Sequence, residues 1–156
     1  MLHFTGTLDG TFDAKKARLS MPAPFRSILN RLNAEAIVLR ASAHAPCIEV
    51  WPEPVFRAEV QRVLGKLSPL NPKYHKFSRQ LVGNAHTLSI DGEGRLVLPP
   101  ALVAHAGLET GPVKFAGSAE VFHIWAPAAL AANDAAIADD DEDAEAFAAL
   151  LEERRA

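Results

Sequence analysis

The stretch Arg18-Leu19-Ser20-Met21-Pro22-Ala23-Pro24-Phe25 returns 77 positions later as Arg95-Leu96-Val97-Leu98-Pro99-Pro100-Ala101-Leu102. A second pair follows, Ile48-Glu49-Val50-Trp51-Pro52-Glu53-Pro54 and Phe122-His123-Ile124-Trp125-Ala126-Pro127, with the tryptophans 74 positions apart. The landmarks keep their order, and the small change in offset means a few residues' difference in loop length. A chain of 156 residues that repeats itself this way holds two copies of one supersecondary unit, each too small to bury an apolar face alone. Pairing of the two copies into a single barrel-like β core is the economical solution.

Each copy reads as strand, arginine-bearing turn, strand, proline-started short helix, strand, turn, strand. Proline is harmless in the first helical turn, where its missing amide proton has no partner to lose. In the first copy Phe25, Ile28, Leu29 and Leu32 follow at helical spacing. In the second copy the helix is shorter, with Leu102 and Val103 as its apolar positions and Gly107 as its stop. Ile37-Val38-Leu39, Ile48 to Val50 and Phe122 to Ile124 have the β-branched and aromatic content of strands. Between the copies, Val55, Val60, Val63, Leu64 and Leu67 define one amphipathic helix, and Tyr74, Phe77, Leu81 and Val82 a second, which Gly83-Asn84 ends. The basic residues Arg57, Arg62, Lys66, Lys73, Lys76 and Arg79 read as the solvated faces of these helices in preference to nucleic-acid contacts.

Charge is divided unevenly. Residues 133–156 carry nine acids against Arg154 and Arg155, a net of −7, so residues 1–132 carry +4 within a total of −3. A mildly basic body therefore bears an acidic, alanine-rich tail, expected to be a solvated end, disordered or a short helix. Such a tail could also compete electrostatically with DNA for basic turns.

The turn Asp91-Gly92-Glu93-Gly94-Arg95 packs an acid, two glycines and an arginine before an apolar strand. Gly92 and Gly94 permit the positive backbone dihedrals of a tight hairpin, which sets Arg95 at the start of the outgoing strand. Asp91 can accept from the turn backbone or from the arginine. An arginine held this way suits a phosphate or a guanine edge. Alone the turn reads first as a surface hairpin with an incidental ion pair. Its recurrence shifts the weighing, because Lys15, Lys16 and Arg18 precede the matching strand of the first copy.

With these residues the chain resembles the MraZ family of bacterial transcriptional regulators, built from two SpoVT-AbrB domains. The resemblance runs from the N-terminus to about Trp125 and includes Leu70-Asn71-Pro72 and Arg79-Gln80-Leu81-Val82-Gly83-Asn84-Ala85. Its most specific element is the Asp-x-x-x-Arg signature at Asp91 and Arg95, with Pro99 and Phe122-His123-Ile124-Trp125 in the expected places. It implies a mainly β fold with helices (α+β), a double-split β-barrel made of SpoVT-AbrB halves at 8–54 and 86–129, joined by a helical connector at 55–85 and followed by the tail at 130–156. It further implies a homo-oligomeric ring and binding to direct repeats in promoter DNA upstream of the cell-division and cell-wall gene cluster, usually with repression, in the cytoplasm and in association with the nucleoid. Carried over by residue, Arg95 and Arg18 face the DNA, assisted by Lys15 and Lys16, while Asp91, Gly92 and Gly94 support the second turn.

The first copy departs from this pattern. Asp13 lies five positions before Arg18, whereas Asp91 lies four before Arg95. With the register set by Arg18, Met21 and Pro22, Ala14 takes the acid position and Ala17 the glycine position, so a strained, widened or bulged hairpin is expected. Lys15 and Lys16 at the tip would add attraction for phosphate.

Other chemistry reads poorly. Six histidines form no pair at helical ligand spacing, and one cysteine gives no zinc pattern. Cys47 beside a β-rich run reads as a small core residue. No glycine loop leads into a helix as a phosphate cradle, and Asp91 to Glu93 lacks the ligands of a calcium loop. No cofactor, metal or catalysis is expected. No apolar run reaches the length of a membrane span, and the N-terminus lacks the pattern of a signal peptide, so a reducing cytoplasm is expected. Two other functional classes stay open: a protein-interaction scaffold ring, and an AbrB-like antitoxin whose tail neutralises a toxin.

Overall fold

The β-branched and aromatic runs become strands of three to eight residues, each too short to stand without neighbours on both sides. The computed structural model describes residues 3–154. The first copy contributes β1 (Thr7–Asp13), β2 (Arg18–Ser20), α1 (Ala23–Arg31), β3 (Ala36–Ala41) and β4 (Ile48–Pro52). The connector is α2 (Glu53–Leu64) and α3 (Pro72–Leu81). The second copy repeats the series as β5 (His86–Ser89), β6 (Arg95–Val97), α4 (Pro100–Ala106), β7 (Gly111–Ser118) and β8 (Val121–Trp125). The acidic tail forms two helices, α5 (Pro127–Ala138) and α6 (Asp141–Glu153), where the sequence suggested a disordered end or one short helix.

Each short helix begins behind a proline in extended conformation, Pro22 at φ −59° and Pro99 at φ −58°. Each stops at a residue in the left-handed region: Asn33 at φ 53° after α1 and Gly107 at φ 61° after α4. The amides that follow return to the last turn, Ala34 N to Leu29 O at 3.0 Å and Leu108 N to Val103 O at 3.1 Å. Asn33 does for the first copy what Gly107 does for the second, since asparagine tolerates this conformation best after glycine.

All eight strands join one antiparallel sheet in the order β5-β3-β4-β8-β7-β1-β2-β6. The two end strands, β5 and β6, are consecutive in the chain and joined by the Asp91 turn, so the sheet curls into a nearly closed barrel. The copies interleave: β1 pairs with β7 of the second copy, and β5 pairs with β3 of the first. Two seams lie on the pseudo-twofold axis, β4 with β8 and β2 with β6. The barrel interior is apolar, with Phe12, Leu19, Leu29, Ile37, Ile48, Leu96, Phe115 and Ile124 almost wholly buried. Phe4, Phe25 and Phe122 pack there edge-on or tilted, with ring centroids 4.8–5.2 Å apart. Cys47 is buried, as its sequence context suggested.

Candidate nucleic-acid interface

The second turn is built around one carboxylate. Gly94 N donates to Asp91 O at 2.9 Å and closes the hairpin. Asp91 Oδ1 accepts from the backbone amides of Glu93 and Arg95, both at 2.9 Å, and Oδ2 accepts from Arg95 Nε at 2.7 Å. Glu93 lies 3.4 Å from Arg95 Nη1. The Arg95 amide, then its guanidinium, hold the Asp91 carboxyl below the usual aspartate range, and Asp91 in turn raises the arginine. The guanidinium is thus clamped on its Nε side, and Nη2 has no partner among the described residues.

Gly94 takes φ +77° as the hairpin reading required, whereas Gly92 does not lie at positive φ and a Cβ there would meet open space; a Cβ built at Gly94 would lie 2.3 Å from Arg26 Cδ. Arg26, on α1, therefore lies across the turn. The sequence reading left Arg26 out, since the hairpin's positive dihedral already accounts for Gly94 without it.

The first turn reaches a similar shape with one more residue. Asp13 Oδ1 accepts from Lys15 N at 3.0 Å and Lys16 N at 3.4 Å, so Asp13 itself, and not position 14, supports the tip. Ala14 N donates to Thr110 Oγ1 at 2.9 Å. Ala17 takes the left-handed conformation at φ 50°, as its alignment with Gly94 required. Its methyl is tolerated because the matching position on the opposite helix is Val103, which packs with Ala17 against the core, and not an arginine. Lys15 and Lys16 are exposed, and neither they nor Arg18 has an ion-pair partner among the described residues. The first turn, Asp13 to Arg18, thus carries three cations and one acid, while Asp91 to Arg95 carries one cation and two acids.

A reciprocal pair of hydrogen bonds locks the turns together: Met21 N donates to Gly94 O, and Leu98 N to Ala17 O, both at 2.7 Å. The strands that leave the turns then pair, with Arg18 opposite Val97, Leu19 opposite Leu96 and Ser20 opposite Arg95. Leu19 and Leu96 point inward and are buried. By strand alternation Arg18, Ser20, Arg95 and Val97 therefore share the outward face. The two arginines are diagonal neighbours there, with backbones roughly 7–8 Å apart. Arg18, Asp91, Arg95 and Val97 line one shallow hollow, and Val97, opposite Arg18, is an exposed apolar residue there that sequence reasoning did not single out. Forked donors on such an outward face can meet phosphate oxygens or the acceptors of a base edge.

The connector behaves as its composition suggested in part. Arg57 pairs with Glu53 and Arg62 with Glu59, one turn apart on the wet face of α2. On α3, Lys73, Lys76 and Arg79 have no acidic partner among the described residues. Among the described residues no group of three His, Cys, Asp or Glu side chains could hold a metal, and no helix is long and apolar enough to cross a membrane.

These features define a duplicated β-barrel whose halves present paired arginine turns on one seam. A family model described as "MraZ protein, putative antitoxin-like" matches residues 81–150. The chain is 38% identical over 129 residues to the transcriptional regulator MraZ of Gluconacetobacter diazotrophicus, covering 81% of this chain and 80% of that one. It is 37% identical over 134 residues to the protein of the same name from Gluconobacter oxydans, covering 84% and 80%. With that of Methylocella silvestris it shares 34% over 131 residues, covering 84% and 76%. The chain belongs to the MraZ family.

Proposed function

We propose that this protein is a sequence-specific DNA-binding transcriptional regulator, without catalysis, that reads promoter repeats as a homo-oligomeric ring in the cytoplasm, at the nucleoid. Its two SpoVT-AbrB halves, 8–54 and 86–129, would each supply one turn, and the division and cell-wall gene cluster would be the repressed target. The observation that carries this reading is the convergence of Arg18 and Arg95 on one outward face, locked by the reciprocal 2.7 Å hydrogen bonds of the two turns. The name of the relatives, transcriptional regulator MraZ, supports it.

The two turns divide the work by their electrostatics. Asp91 orients Arg95 and offsets its charge, which suits a base reader that gains from fixed geometry and loses little to non-specific phosphate. Lys15, Lys16 and Arg18 are unneutralised and suit backbone attraction. The test is a titration of DNA from upstream of the protein's own gene at several salt concentrations. Arg95→Ala is expected to cost about 1–3 kcal/mol and to relax discrimination between sites. Lys15→Ala with Lys16→Ala is expected to weaken all sequences alike and to reduce the salt slope by about one unit per lysine lost. Unchanged binding, slope and discrimination in both variants would remove the turns from the interface.

A further inference from the structure

The tail helix α6 has a two-sided surface. Ala144, Phe147, Leu150 and Leu151 fall along one face at helical spacing, with Asp143 among them one turn before Phe147, while Glu142, Glu145, Glu152 and Glu153 fall on the other face. Phe147 and Leu150 are each 64% exposed and Leu151 54%, although α6 packs on α5. A helix of 13 residues is marginal on its own in water, and most helical stability comes from packing an apolar face.

A complementary surface stands elsewhere on the same chain. Residues 60–90 contain no acid and five basic residues, Arg62, Lys66, Lys73, Lys76 and Arg79. Helix α3 buries none of its residues. Phe77 and Val82 remain partly open there, and Leu70, just before the helix, is 93% exposed. Lys73 lies one turn before Phe77 on the same helix surface, and Lys76 is the neighbour of Lys73 three residues on. Phosphate would satisfy the lysines but leave Leu70 and Phe77 wet, whereas an amphipathic acidic helix covers both.

We propose that α6 of one copy docks its Phe147–Leu151 face on the α3 surface of a second copy, with Asp143, on that same face, meeting Lys73, and with the net negative tail drawn to the basic α3. The two surfaces differ, so the contact is head-to-tail, and repeated with a closing rotation it produces a ring. This inference rests on the oligomer of the preceding reading and names the surfaces that build it.

Site-directed cross-linking tests it. One full-length chain carries Phe147→Cys and another Phe77→Cys, and the two are mixed with a short bismaleimide. Cys47 stays silent, because burial pushes its thiol up to about 11. A cross-linked dimer that requires both chains is the expected result. Dimers from Phe147→Cys alone, an intrachain link in the doubly substituted chain, or no link would each overturn the docking. In a second arm, Lys73→Glu is expected to weaken self-association at least tenfold by sedimentation, and added Asp143→Lys to restore it. Loss of DNA affinity with unchanged association would assign α3 to DNA and overturn the proposal. Sedimentation of the unaltered chain separates the two readings: a monomer removes both the ring and this contact, while an oligomer that fails to cross-link removes this contact alone.

Discussion

At the scale of single residues, Gly94 and Ala17 occupy equivalent places with different chemistry. Both sit at positive φ, and both carbonyls accept the reciprocal 2.7 Å bond from the opposite copy. An L-residue in this conformation costs about 1–2 kcal/mol, and at position 94 a methyl would also displace Arg26. Gly94→Ala is therefore expected to destabilise by about 1–2 kcal/mol in urea denaturation. Ala17→Gly relieves strain but frees the unfolded chain and removes a methyl that packs against the core. Its net effect is expected within about 1 kcal/mol of zero. Equal losses in the two variants would contradict this account of the turns. The motif Asp91 to Arg95 was legible from the sequence because all its bonds lie within five residues. That Asp13 supports the first tip despite its shifted spacing was not, since an extra turn residue can be absorbed in several ways.

Among the elements, the β4–β8 seam carries a titratable group whose burial no local sequence pattern signals. His123 on β8 stands opposite Glu49 on β4. Glu49 also accepts from Trp51 Nε1 at 3.1 Å and lies 3.5 Å from Arg40 Nε. Burial lowers the His123 pKa below the ordinary histidine value, and the Glu49 charge opposes this without cancelling it. The unfolded chain then binds the proton more readily than the folded one. Stability is full above about pH 6.5, the ordinary value, and falls as pH drops through it towards the depressed folded value. His123→Gln is expected to flatten this fall between pH 7.5 and 5.5, read from urea midpoints at each pH. An unchanged slope would show that His123 is not the group responsible. The helices of the copies were readable from proline starts and apolar spacing. The tail was less so: a helix with no buried residue, as in α5 and α6, depends on partners that composition does not name.

For the whole molecule, interleaving means that neither half holds its own neighbours. Within a 1–54 fragment β1 lacks β7, β3 lacks β5, β4 lacks β8 and β2 lacks β6. Such a fragment exposes both unpaired edges and half of the core. It is expected to show no cooperative unfolding as a monomer, and to fold only as a strand-exchanged dimer or on mixing with the remainder of the chain. Circular dichroism with sedimentation checks this, and a folded monomeric fragment would refute it. The repeat, the helix starts and stops, the charge division and the Asp91–Arg95 hairpin were determined by the sequence alone, because each is a local pattern whose energy comes from near neighbours. Only the tertiary structure decided that strands of one copy pair with the other, that Arg18 and Arg95 meet on the Leu19–Leu96 seam, and that Arg26 lies over Gly94. Those contacts join residues dozens of positions apart, and they stabilise nothing until the barrel closes around its buried core.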